Sequence, residues 1–225
     1  RDAFLLNFRW AVQFSNAVGF HTHYFKNHPS KNVIYSLCKG LEKEKTVTDI
    51  FIYTTNPLLQ TLVSEKTTIF YPKVTFRGNA EYYNKEQILK NWEVDSLEKI
   101  TWVLAIEGFN GTVSANAFFL AKSDNQRQIA QKARKTEYFP LIQNAKNVEE
   151  FKIALSENVK YKEYLQSNVF DAVLQALAFP EVLLACNLDK KERDEEAALK
   201  ILEETQFYKE IEYWDRSYRM LRGLW

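Results

Sequence analysis

The 225-residue chain balances 30 Lys and Arg against 29 Asp and Glu, and 46% of its residues are hydrophobic and 15% aromatic. That composition builds a globular core and excludes a disordered polyelectrolyte. Six glycines and five prolines are too few for a turn-rich all-β fold or a glycine-rich phosphate loop.

Two cysteines, Cys38 and Cys186, do not make a disulfide framework and read as reduced, buried, small apolar side chains. No stretch approaches the roughly 18–20 apolar residues of a membrane span. The chain opens on Arg1 without a basic-then-apolar leader, which reads as a processed or truncated product of an intracellular, cytoplasmic protein.

Residues 2–18 have helical spacing, with Asp2 as a candidate N-cap and Gly19 as the stop. A His-rich connection, FHTHYFKNHP, follows. Ser30 then caps a second predicted helix to about Leu41, with Val33, Ile34, Leu37 and Leu41 inward. Residues 47–54, VTDIFIYT, are β-branched and aromatic and predict a strand. Asn56-Pro57 breaks it and starts a short helix, PLLQTLVSEK. Residues 67–77 alternate, and Pro72 confines them to an edge or to two short strands.

From Asn84 the pattern turns helical, as NKEQILKNW and then SLEKITWVLAIEGF, before a turn at 108–111. A long helix is predicted over 113–135. Asn147 caps VEEFKIALSENV. The stretch KYKEYLQSNVFDAVLQALAF carries Leu165, Val169, Val173 and Leu177 on one face, and Pro180 closes it. A last helix runs from near Asp189 to Leu221, acidic at its start and basic at its end, with a stripe that includes Ala197 and Ile201. The reading is therefore a mainly α domain over 1–225 with a small β element around residues 47–77. Soft lobe boundaries fall near 108–111 or 140.

Charge is uneven along the chain. Residues 1–140 hold 18 basic and 13 acidic side chains, and residues 141–225 hold 12 and 16. The sharpest feature is KSDNQRQIAQKARK, with Lys122, Arg127, Lys132, Arg134 and Lys135 against Asp124 alone. Together with Lys73 and Arg77 beside aromatic residues, it predicts phosphate contact and base stacking. The leading expectation is a non-catalytic, nucleoprotein-like binder of RNA or another polyanion, without a cofactor.

Two rivals stand beside it. His21, His23 and His28 are the chain's three histidines, and clustered imidazoles suit a divalent metal and a metal-dependent enzyme. Trp214, Tyr218, Arg222 and Trp225 are residue types enriched at protein interfaces, and suit a subunit that docks on a protein partner or on itself. No phosphate-loop, dinucleotide-binding, nucleophile-elbow or zinc-protease motif occurs.

Overall fold

The computed structural model describes residues 2–71, 81–107, 134–189 and 191–205. Among these, helices predominate and one three-stranded sheet is present, so the chain is mainly α with a small β element. The chain falls into two compact units. One is residues 1–28 with 185–225, and the other is residues 29–184.

The first unit pairs helix α1 (Asp2–Ala17) with the last described helix, α9 (Glu195–Thr205). Gly19 follows α1 with φ +90°, the left-handed conformation that glycine adopts without a Cβ penalty. Asp194, five residues later than the expected start, caps α9 by accepting from the Ala197 N–H at 2.9 Å. Ala198 and Leu202 are its buried residues, one position on from the Ala197 and Ile201 stripe. Residues 206–221 of that predicted helix lie outside the described residues.

The second unit begins with α2 (Ser30–Lys43). Pro29, not Ser30, occupies its cap position. The inward residues are Lys31, Val33, Ser36 and Cys38, while Ile34 and Leu41 pack partly buried against the core. Strand β1 (Ile50–Tyr53) leads to a 3-10 turn over Pro57–Leu62, where Asn56 accepts from Leu58 N–H and Pro57 fills the first position. Strand β2 (Thr67–Tyr71) pairs parallel with β1, and β3 (Glu81–Tyr83) pairs antiparallel with β2. Among the described residues, β2 holds the centre of the sheet.

Helix α3 (Lys85–Trp92) opens with a capping box between Asn84 and Gln87, which satisfies two backbone donors reciprocally. Helix α4 (Leu97–Glu107) buries Lys99, Ile100, Trp102, Val103, Leu104, Ala105 and Ile106, and Lys99 Nζ donates to the Asp95 carboxylate at 2.9 Å and to the Gln143 carbonyl at 3.0 Å. A π-helical turn, Arg134–Tyr138, runs into α5 (Phe139–Asn144). Pro140 stands in the first turn of α5.

Asn147 caps α6 (Val148–Ser156) as expected. The following stretch divides into α7 (Val159–Gln166) and α8 (Val169–Leu177). The break is Asn168, at φ +57°, a conformation asparagine tolerates better than most residues. Trp102 stacks on Phe151 at 5.6 Å and 8°, Phe170 lies against Phe151, and Tyr164 donates to the Ala105 carbonyl at 2.6 Å. These rings form the core of the second unit.

Candidate functional site

The sheet alternates as strands must. Ile50, Ile52, Thr67 and Ile69 point into the core and are buried. Phe51 and Tyr53 of β1, Phe70 of β2 and Tyr82 of β3 point the other way. The register places Tyr53 beside Phe70, and Phe70 beside Tyr82. The rings consequently form one continuous row. Phe51 and Tyr82 meet edge to face at 6.2 Å, Tyr82 and Phe70 at 4.8 Å, and Phe70 and Tyr53 stack at 5.0 Å.

Three of the four are largely open: Phe51 is 61% exposed, Tyr53 68% and Tyr82 57%. A contiguous exposed aromatic patch marks an interaction surface far more often than scattered single rings do. On the inner side, the Glu81 carboxylate accepts from the Tyr83 hydroxyl, and that hydrogen bond pushes the Tyr83 hydroxyl up to about 12.

A second polar constellation lies where α2 meets β2. The Glu42 carboxylate accepts from Lys39 Nζ at 2.6 Å, Ser64 Oγ at 2.6 Å and Thr67 Oγ1 at 3.0 Å. Burial alone would raise its carboxyl, but these donors outweigh burial and hold it below the usual range. Burial likewise works against the Lys39 ammonium, and Glu42 reverses that, so Lys39 is held above its ordinary value. The buried Cys38 Sγ lies 3.4 Å from Thr67 Oγ1, and burial pushes its thiol up. A raised thiol is a poor nucleophile, so this group serves packing.

Beside it is a cavity of about 260 Å³, bounded by Tyr35, Lys39, Leu62, Glu98 and Phe179. Tyr35 and Phe179 stack on each other at 4.8 Å. The volume falls short of the ~300–1,000 Å³ of typical ligand pockets.

The residues singled out by sequence are distributed differently. His21 and His23 have ring centroids 5.8 Å apart, and a His21 ring nitrogen bonds the Asp189 carbonyl oxygen. His28 meets Phe25 edge to face at 6.5 Å. Among the described residues, no group of three or more His, Cys, Asp or Glu is arranged to hold a metal ion. Lys73, Arg77, Lys122, Arg127 and Lys132 lie outside the described residues, as do Trp214, Tyr218, Arg222 and Trp225. Lys135 is exposed.

Arg134 turns inward. It lies 3.5 Å from the Glu107 carboxylate and over the rings of Trp92, at 5.3 Å, and Phe139, at 5.0 Å. Phe70 lies among the aromatic residues that the sequence places near Lys73 and Arg77, but its row with Phe51, Tyr53 and Tyr82 is not legible there, because alternation identifies the two sides of a strand without saying which one a helix covers.

No family model matches the chain, and no curated protein does. Among solved structures it is similar to a mutant of T5 5'-exonuclease, at 14% identity and a TM-score of 0.43, over 89% of this chain and 75% of that one. The expectation of a non-catalytic binder that holds RNA or another polyanion through residues 122–135 is corrected here. The one described arginine of the basic run is committed to Glu107, Trp92 and Phe139 rather than offered to a ligand. Among the described residues, no helix is long and apolar enough to cross a membrane.

Proposed function

We propose that this chain handles single-stranded nucleic acid on the outer face of its sheet, with unstacked bases lying on Phe51, Tyr53, Phe70 and Tyr82. The observation that carries this reading is the unbroken row of rings across three strands, three of the four exposed to solvent. Every base has a π-face, so such a row holds a strand with little sequence preference. A duplex hides those faces, so the reading is specific to single strands.

Charge supports it. The 72–80 segment joining β2 to β3 contains Lys73 and Arg77 and no acidic residue, and Lys85 lies two residues past the end of β3. Two of the four rings are tyrosines, whose hydroxyls keep a polar handle at a wet surface.

The test is fluorescence anisotropy of labelled single-stranded DNA and RNA, against an abasic strand of equal charge and against a duplex. The expected result is binding that requires bases, and that weakens about tenfold or more in Tyr53→Ala, since stacking contributes ~1–3 kcal/mol per base. Equal binding of the abasic strand, or an unchanged Phe51→Ala/Tyr53→Ala/Tyr82→Ala variant, removes the reading.

A further inference from the structure

The cavity of about 260 Å³ lies wholly within the second unit. Its walls come from α2, the 3-10 turn and Val63 after it, α4, and the end of α8 with Phe179, and none of the four rings of the sheet row bounds it. It is smaller than a pocket for a drug-sized ligand. It is larger than the ~150 Å³ apolar cavity that accepts benzene. A single ring with a short arm suits such a space.

The aromatic wall is held in place. Tyr35 and Phe179 stack at 4.8 Å and 9°. Lys31 Nζ donates to the Leu177 carbonyl at 3.5 Å and to the Ala178 carbonyl, which pins the end of α8 to α2. Further along α2, Ser36 Oγ accepts from the Leu184 N–H at 2.9 Å. A wall set in advance leaves little ordering to oppose binding.

The polar groups around the cavity select what enters it. Thr61 Oγ1 donates to the Leu58 carbonyl at 2.7 Å, and Thr101 Oγ1 donates to the Glu98 carbonyl at 2.7 Å. A hydroxyl has one hydrogen, so both can only accept from a ligand. The Glu98 carboxylate is acceptor-only as well, and among the described residues it has no ion-pair or hydrogen-bond partner. The nearby cations are already answered. Lys39 meets Glu42 at 2.6 Å, and Lys31 meets the last carbonyls of α8, the negative end of a helix. One negative charge and an excess of acceptors remain beside two rings. A carboxylate or phosphate would face Glu98 unfavourably, and a neutral ring would leave it unmatched.

We infer that this cavity is a binding site for a small ring-bearing amine, its ring against the Tyr35–Phe179 wall and its ammonium donating to Glu98 and the threonine hydroxyls. The inference stands apart from the sheet face and is tested without nucleic acid.

The test titrates the full chain with benzylamine, benzyl alcohol and benzoate, followed by backbone amide NMR. Benzylamine is expected to bind with a dissociation constant of about 1 mM, as eight heavy atoms allow, and to move the amide signals of Thr61, Val63 and Thr101. Benzyl alcohol should bind about tenfold more weakly, since a charge-assisted hydrogen bond is replaced by a neutral one, and benzoate should not bind. Glu98→Gln, at an exposed position, should reduce benzylamine to the level of the alcohol and leave the alcohol unchanged. Absence of benzylamine binding up to about 20 mM overturns the inference. So does benzoate binding as well as the amine, or signal changes confined to residues outside the cavity. Undiminished benzylamine binding by Glu98→Gln also overturns it. If that variant fails to fold, the order of the three probes on the wild type decides alone.

Discussion

The Glu42 carboxylate accepts from the Thr67 hydroxyl at 3.0 Å, which ties the last turn of α2 to the first residue of β2. Ser64 and Lys39 converge on the same carboxylate. Hydrogen bonds to a charged group contribute more than neutral ones, ~1.5–3 kcal/mol net. Glu42→Gln keeps the shape and loses the charge. It should lower stability by about 1–2 kcal/mol, read as a smaller midpoint in urea with an unchanged slope.

The same cluster sets a pH dependence. Glu42 is held below its ordinary 4.5 in the folded chain. Its contribution is present above that value and is lost as pH falls through the depressed folded one. Lys39 is held above 10.5, so its contribution is complete below that value and disappears as pH rises past it. The stability gap between wild type and Glu42→Gln should therefore be widest at neutral pH and close below about pH 4.5. Urea midpoints taken at intervals of pH measure this. A gap that stays constant down to pH 3 would mean that Glu42 does not titrate as the structure requires.

Legibility in the sequence followed the range of the interaction. The Asn147 cap and the Gly19 stop depend on neighbours within four residues, and both were readable. The break at Asn168 was not, because Val169, Val173 and Leu177 continue the apolar spacing of Leu165 across it. β3 is three residues long and exists through its pairing with β2, a contact no local pattern announces. Arg134 belonged to a basic run by sequence. Glu107, 27 positions away, and Trp92, 42 away, draw it inward. The aromatic row has the same origin: its rings come from three strands and become neighbours only through register.

Trp102 is 2% exposed and stacks flat on Phe151. Replacing a buried large ring by alanine leaves a cavity as well as losing transfer energy, at a cost of about 3–5 kcal/mol. Trp102→Ala should lower the melting temperature of the second unit by about 10 °C, followed by far-UV circular dichroism. Ile153→Ala, on the same helix as Phe151 but 66% exposed, should change it by at most a degree or two, as surface substitutions stay within about 0.5 kcal/mol. Equal effects at the two positions would contradict the packing.

Gly19 tests the first unit. Its φ of +90° is strained for any residue with a Cβ. A Cβ built there would come within 2.9 Å of Arg193 Cγ and 3.4 Å of the Lys191 carbonyl oxygen. The arginine methylene belongs to a flexible side chain and can yield, whereas the carbonyl is backbone. The conformational penalty remains whichever moves. Gly19→Ala should thus destabilise by about 1–3 kcal/mol. The loss should be local, because Ala17 O accepts from Asp194 N–H at 2.7 Å in the same unit. Amide exchange at Asp194 is expected to accelerate in the variant, while the amide of Val103, in the core of the second unit, keeps its protection. Gly19→Asn should recover part of the loss, since asparagine tolerates positive φ better than alanine does. If alanine and asparagine destabilise equally, the close approach to the Lys191 carbonyl, and not the backbone angle, sets the requirement for glycine.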